Sequence, residues 1–316
     1  MKQLESAVVV GSGMMAPGLA AVLALGGLRT TILSRTEENA TRAVVRAHEM
    51  AQGVIANGLA VARELSIEPS VAFEESVGTA DLVIESVYEE LELKRSIFER
   101  LDLAAPPTTI LTSNTSGLSI SAVVSRCRYP ERILTTHFWN PPHLMPLVEL
   151  VVGEKTAPET VEVVRAFLSA CGKVPVVVKK DRPGQLGNRL QMALLREAVN
   201  IVAEGIADVE DVDLAAKAGF GLRLPVYGIF EHQDIVGLDL GFSVIDYVVP
   251  DLSNAPRGPE LYRQKVEEGN LGVKTGKGFY DWSKKDVEDV RARRDRFVAE
   301  TVRNWFTPPP KPTGHN

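Results

Sequence analysis

The sequence predicts an α/β fold class, an N-terminal doubly wound sheet followed by an all-helical C-terminal domain, on three observations. Short apolar runs rich in β-branched residues alternate with helical stretches from Ala7 to Val178, the pattern of a largely parallel sheet. The first of these runs ends in Gly11-Ser12-Gly13-Met14-Met15-Ala16 and passes directly into an apolar helical segment. After Asp181-Arg182-Pro183-Gly184 the strand pattern stops and helical periodicity takes over.

In chain order the expected strands are Ala7–Val10, Thr30–Leu33, Leu82–Ser86, Thr109–Ser113, Ile133–Thr136, Leu147–Val151 and Val174–Val178. Glu37 to Leu65 reads as two helices, or as one helix broken near Gly53–Gly58. The second half reads as helices over Asn188–Glu204, Asp208–Ala218, a segment around Gly228–Tyr247, and Lys284–Asn304. A Rossmann-type domain is therefore expected over 1–182 and a helical domain for substrate and dimerisation over 183–305. The Pro-rich residues 306–316 are expected to be disordered.

Composition narrows the classes of function. The chain has 316 residues, 45% hydrophobic and 24% charged, enough for two domains with a substantial core. A net charge of -6 gives no global attraction to nucleic acid or an anionic membrane. No apolar run reaches the roughly 18 residues that span a bilayer. The N-terminus opens on a strand without a signal-peptide pattern, so a cytoplasmic location is expected. Cys127 and Cys171 have neither metal-ligand spacing nor the pattern of a disulfide framework, and no metal is expected.

The glycine turn points to a dinucleotide. Gly11 permits the tight turn, Gly13 lets backbone approach a pyrophosphate, and Ala16 keeps helix and strand close. The helix that follows offers its N–H groups and positive dipole end, which makes Gly11, Gly13, Met14, Met15 and Ala16 the cofactor-binding turn. NAD-selective units place Asp or Glu about 20 residues further on, to accept from the ribose hydroxyls. Ser34 stands there instead, followed by Arg35, whose guanidinium suits a 2'-phosphate. NADP is thus favoured over NAD; the alternative is a solvated Arg35 with Ser34 serving NAD.

Four local signals carry chemistry. Thr112-Ser113-Asn114-Thr115-Ser116-Gly117 follows a strand at the sheet end where α/β folds bind ligands, so Ser116 either bonds a substrate oxygen or caps a turn. His137, before the abrupt Asn140-Pro141-Pro142, suits a general base or a satisfied core histidine. Glu149 lies within the apolar strand Leu147–Val151, where a carboxylate is costly unless paired. His137 is its natural partner; a structural ion pair is the alternative. Asn188, in Pro183-Gly184-Gln185-Leu186-Gly187-Asn188-Arg189, either orients a substrate carbonyl or caps the helix it opens.

These segments, with Leu271-Gly-Val-Lys-Thr-Gly-Lys-Gly-Phe-Tyr280, resemble the 3-hydroxyacyl-CoA dehydrogenase family along nearly the whole chain. The resemblance implies a Rossmann domain plus a helical domain that forms a homodimer. It implies His137 as general base, Glu149 as its partner, and Ser116 and Asn188 in contact with substrate. Asn114 falls among the implied cofactor contacts. Glu89 and Lys94, in Glu85-Ser-Val-Tyr-Glu-Glu-Leu-Glu-Leu-Lys94, match nicotinamide-side contacts.

Three departures qualify it. Ser34 replaces the ribose-binding acid. The segment after the second strand, where CoA-using members carry lysines, holds only Arg42, Arg46 and Arg63. The loop Asn140-Pro-Pro-His-Leu-Met-Pro146 looks more like members acting on free acids: gulonate dehydrogenase (lambda-crystallin), carnitine dehydrogenase and a pyridine-carboxylate dehydrogenase. His143 and Arg223 are candidates to add charge for such a carboxylate, or are solvated surface groups. The expected activity is an NAD(P)-dependent dehydrogenase interconverting a secondary alcohol and a ketone in a 3-hydroxyacyl-type substrate. A small hydroxy acid is preferred to an acyl-CoA thioester. The rival from another class is a non-catalytic, crystallin-like dinucleotide-binding protein.

Overall fold

A computed structural model describes residues 4–306. Of the tail expected to be disordered, 307–316 lie outside the described residues. Phe306 closes a π-helical turn, Val302–Phe306.

Eight strands form one sheet: β1 Ser6–Val10, β2 Arg29–Leu33, β3 Ile67–Ser70, β4 Leu82–Glu85, β5 Ile110–Ser113, β6 Ile133–Phe138, β7 Leu147–Val151 and β8 Val174–Val178. Their order is β3-β2-β1-β4-β5-β6-β7-β8. All neighbours are parallel except β6 and β7, which run antiparallel. The helices of this part are α1 Ala16–Leu25, α2 Glu37–Ala56, α3 Phe73–Gly78, α4 Leu91–Ala104, α5 Ile120–Val123 and α6 Pro158–Ala170.

The period-2 alternation of β1 divides it between two cores. Ala7 and Val9 pack with Leu19 and Leu23 of α1, Ala43 and Ala47 of α2, and Val164 and Leu168 of α6. Val8 and Val10 pack on the other face with Val77 of α3, Phe98 and Leu101 of α4, and Ile120 of α5. Each fully buried Val, Leu, Ile or Phe among them contributes about 1.5–3 kcal/mol of burial free energy. Small residues let α1 sit very close to its neighbours. A Cβ on Gly18 would stand 2.6 Å from Pro142 Cγ, so the β6–β7 turn rests directly on this helix.

Two elements differ from the sequence reading. The strand β3 was not expected, because Ile67-Glu68-Pro69-Ser70 shows no alternation; a proline is accommodated where the strand lies at the sheet edge. The stretch from Glu37 holds one unbroken helix. Thr36 caps its start by accepting from Asn39 N–H, and Gly53 lies inside it. Asn57 ends it by returning its backbone and side-chain N–H groups to Gly53 O, and Gly58 then takes φ 68°.

The chain divides into two compact units, one of residues up to 188 together with those from 298 on, the other Arg189–Phe297. The sequence reading places this boundary at 182. Hydrogen bonds from 185–188 to the first unit account for the extra residues, and Arg303 Nη1 donates to Asn57 O.

Helices α7 Gly187–Ala203, α8 Val209–Ala218, α9 Phe220–Arg223, α10 Ile229–Val236, α11 Leu238–Val248, α12 Glu260–Glu267 and α13 Val287–Thr301 complete the chain. Within Arg189–Phe297, Val199 is the one fully buried apolar side chain among the described residues. Phe230, Phe242, Ile245 and Tyr247 are all more than half exposed.

Candidate active site

Parallel register brings the strand ends to one line. Leu33 pairs with Val10, Val10 with Glu85, and Glu85 with Ser113. Ser34, Gly11, Ser86 and Asn114 therefore emerge side by side at the carboxyl edge of β2, β1, β4 and β5. Strand order reverses beside β1, which is where open α/β sheets bind ligands.

Gly11 takes φ 118°, and a Cβ there would lie 2.5 Å from Ser86 O, so no other residue fits. Gly13 differs: a Cβ on it would meet nothing within 4 Å. That open ground lies before a helix whose N-cap, Met15, makes no side-chain capping bond. Uncapped N–H groups at a helix start suit a pyrophosphate. Ser34 Oγ lies 2.8 Å from Ser12 Oγ, which joins the glycine turn to the end of β2. Arg35 and Met14 are exposed beside them. The residues present fit a dinucleotide.

His137 and Glu149 are direct partners across the antiparallel β6–β7 ladder. Glu149 is completely buried and receives four hydrogen bonds. His137 Nδ1 at 2.8 Å and Trp139 Nε1 at 3.0 Å lie on Oε2. The backbone N–H groups of Leu186 and Gly187, at 2.8 and 2.9 Å, donate to Oε1. Burial works against the charge, but the bonds from His137, Gly187, Trp139 and Leu186 outweigh it and hold the carboxyl at about 2. An ionised Glu149 only accepts, so Nδ1 carries a proton, and in the neutral imidazole Nε2 presents its lone pair. Among the described residues nothing bonds Nε2.

The Ser116 loop is built from below by charge. Lys94, with 1% of its side chain exposed, lies 2.7 Å from Glu85 Oε1 and 3.5 Å from Glu89 Oε2. Glu89 Oε1 in turn accepts from Thr115 Oγ1 and from the N–H groups of Ser116 and Gly117, at 2.6, 2.9 and 3.0 Å. Burial opposes its charge, yet the Thr115 bond, the Lys94 ammonium and the two backbone donors hold its carboxyl below the usual range. Of the pair expected to face the cofactor, Glu89 reaches solvent and Lys94 is sealed beneath it. Asn114 Oδ1 accepts from Phe138 N–H and ties the ends of β5 and β6 together. Asn188 Nδ2 donates to Ser116 O at 3.0 Å, which leaves its second amide hydrogen for another acceptor.

Ser116 and Asn188 are thus brought together, and His137 meets Glu149, within the first unit. His143 packs over α1, where a Cβ on Gly18 would lie 3.2 Å from its Nδ1; Arg223 ends α9 in the second unit. Sequence reasoning missed Glu85, Trp139, and the backbone donors of Leu186 and Gly187. A signal existed for Glu85, an acidic residue closing the apolar strand Leu-Val-Ile-Glu, as for Glu149. The two backbone donors leave no trace in side-chain identity.

Comparison with known proteins divides the chain near residue 183. The NAD-binding domain model of 3-hydroxyacyl-CoA dehydrogenase matches residues 6–182, and its C-terminal domain model matches 184–282. The chain is 36% identical over 299 residues to 5-formyl-3-hydroxy-2-methylpyridine 4-carboxylate 5-dehydrogenase of Mesorhizobium japonicum, covering 93% of this chain and 96% of that protein. It is 35% identical over 287 residues to the mitochondrial hydroxyacyl-coenzyme A dehydrogenase of Homo sapiens, covering 87% and 90%. A solved structure of a 5-formyl-3-hydroxy-2-methylpyridine 4-carboxylic acid 5-dehydrogenase, described as an NAD+ dependent dismutase, superposes with a TM-score of 0.91. It is 34% identical and covers 96% of this chain and 99% of that one.

Proposed function

We propose that this chain, which belongs to the 3-hydroxyacyl-CoA dehydrogenase family, acts on a small free carboxylate rather than a CoA thioester. It is a nicotinamide-dinucleotide-dependent oxidoreductase acting on CH–OH groups. A nicotinamide dinucleotide held by the Gly11–Ala16 turn would supply the hydride acceptor and donor for the substrate carbon. His137 Nε2 takes the hydroxyl proton during oxidation and returns it during reduction. Glu149 holds the tautomer and stabilises the imidazolium that forms. Ser116 Oγ and the second amide hydrogen of Asn188 hold the reacting oxygen.

The observation that carries the free-acid reading is the poverty of cations over 37–65. That segment has no lysine and three arginines. Arg42 is engaged with Glu38 and Asn39, and Arg63 Nη1 lies against Gly27. A CoA phosphate cluster calls for several cations. The test sets 5-formyl-3-hydroxy-2-methylpyridine 4-carboxylate and 3-hydroxybutyrate against 3-hydroxybutyryl-CoA, following reduction of the dinucleotide. Turnover of a free acid alone supports the reading; turnover of the thioester alone overturns it.

The cofactor reading favours NADP, because Ser34 removes the ribose-binding acid and the exposed Arg35 follows it. Arg35→Ala then weakens NADP binding at least about tenfold while leaving NAD binding nearly unchanged, as loss of a charge-assisted bond implies. Equal losses remove the argument. A homodimer joined through the second unit is the reading of its exposed apolar residues, since contiguous apolar surface marks an interface. Sedimentation at the mass of a single chain contradicts it.

A further inference from the structure

We infer that Gln185 is a positioning residue that clasps the Ser116 loop to the His137–Glu149 pair. The inference rests on the reading of those three residues as catalytic. Four consecutive residues serve both halves of the site, the outer two on the Ser116 loop and the inner two on Glu149. Gln185 Nε2 donates to Thr115 O at 2.8 Å, the carbonyl just before Ser116. Leu186 and Gly187 N–H donate to Glu149, and Asn188 Nδ2 returns to Ser116 O.

The backbone makes this arrangement possible. Gly184 and Gln185 both take left-handed conformations, φ 77° and 53°, and the following two N–H groups then converge on one carboxylate oxygen. Successive N–H groups turned this way form an anion-binding nest. Gln185 is the one non-glycine residue with positive φ among the described residues. Glycine adopts that conformation freely, whereas glutamine is strained there. The side chain must therefore supply something glycine lacks, and the bond to Thr115 O is what it supplies.

The other end of the amide supports the same reading. Gln185 is 5% exposed, and its Oε1 is buried without a hydrogen-bond partner. A buried unpartnered acceptor is destabilising. An apolar residue of similar size would remove it but would leave the carbonyl of the buried Thr115 unpaired, so the two effects on stability oppose each other and the link between the loops is what the amide adds. It couples loops 70 positions apart in sequence.

The test compares the full-length protein with Gln185→Leu and Gln185→Glu. Hydrogen–deuterium exchange is read at the amides of 116–118 and 186–187, with Tm, NADPH binding by fluorescence, and kcat and KM on the substrate that turns over. In the leucine variant, exchange at those amides rises about tenfold, the equivalent of one hydrogen bond. Exchange in the rest of the sheet, Tm and NADPH affinity stay near wild type, and kcat falls with KM held. In the glutamate variant, protection returns at low pH, where a neutral carboxyl donates as the amide does, and is lost when it ionises. Wild-type exchange at 116–118 in the leucine variant overturns the clasp. So does a uniform rise across the sheet with a lower Tm, which marks a purely structural role. Local loosening in a protein that turns over no substrate upholds the clasp and counts against the catalytic reading instead.

Discussion

Glu149 stands directly opposite His137 in the antiparallel β6–β7 register, with its Oε2 2.8 Å from Nδ1. Because side chains alternate with a period of 2, a one-residue slip of β7 would put Glu149 on the other face. The change of direction between β6 and β7 thus sets the pair.

Glu149→Gln tests that pairing. An amide keeps the volume but loses the charge that stabilises the imidazolium and fixes its tautomer. We expect kcat to fall about 10⁴-fold, the loss seen when the acid of such a pair is neutralised. NADPH affinity should be unchanged in a fluorescence titration. A variant with near wild-type kcat would assign Glu149 to stability alone.

Local signals made the nucleotide site legible. Gly11, Gly13 and Ser34 could be placed because turn chemistry and strand ends are encoded within a few neighbouring residues. The partnership of His137 and Glu149 was legible only as two costly groups seeking each other. Their register depends on β7 running antiparallel, which the sequence does not announce. Trp139 was hidden because its indole N–H acts at Glu149 while its ring fills the space a Gly187 side chain would need. Gln185 was hidden because its partner lies 70 residues away and its role depends on an unusual φ.

The acid limb of stability should report Glu149. Its folded carboxyl lies near 2, below the ordinary value of 4.5. The stabilisation is present in full above the unfolded value and is lost as pH falls through the folded one. Its size is on the order of 3 kcal/mol. Trp139→Phe removes one of the four bonds and moves that loss to higher pH. Urea midpoints measured from pH 6 down to 2.5 check this; superimposable curves for wild type and variant would contradict it.

Lys173 predicts a second rise of stability with pH, at the alkaline end. It is buried, and its Nζ donates to the carbonyls of Pro142 and Met145 at 2.7 and 3.0 Å, bracing the β6–β7 turn. Burial pushes its ammonium down to about 8 from 10.5. The unfolded chain binds the extra proton between those values, so this group alone makes stability rise with pH across that window. The rise should be visible as the difference between wild type and Lys173→Met from pH 8 to 10. A constant difference would show that the ammonium is not strained by burial.

Lys94→Met should be among the most damaging single changes. It leaves the buried Glu85 carboxylate without its cation and Glu89 without its support. Breaking a buried pair this way costs about 3–5 kcal/mol. Denaturant unfolding measures it, and a loss below 1 kcal/mol, the scale of a surface ion pair, would mean the network is dispensable.

The most direct measurement is the rate of dinucleotide reduction by wild type and His137→Gln, side by side on 5-formyl-3-hydroxy-2-methylpyridine 4-carboxylate, 3-hydroxybutyrate and 3-hydroxybutyryl-CoA. The account predicts that whichever substrate wild type turns over is lost to the variant by at least about 10³-fold, the scale of a missing general base, while NADPH still binds. Equal rates in the two proteins would show that the proton leaves by another route and that the His137–Glu149 pair is not the catalytic centre.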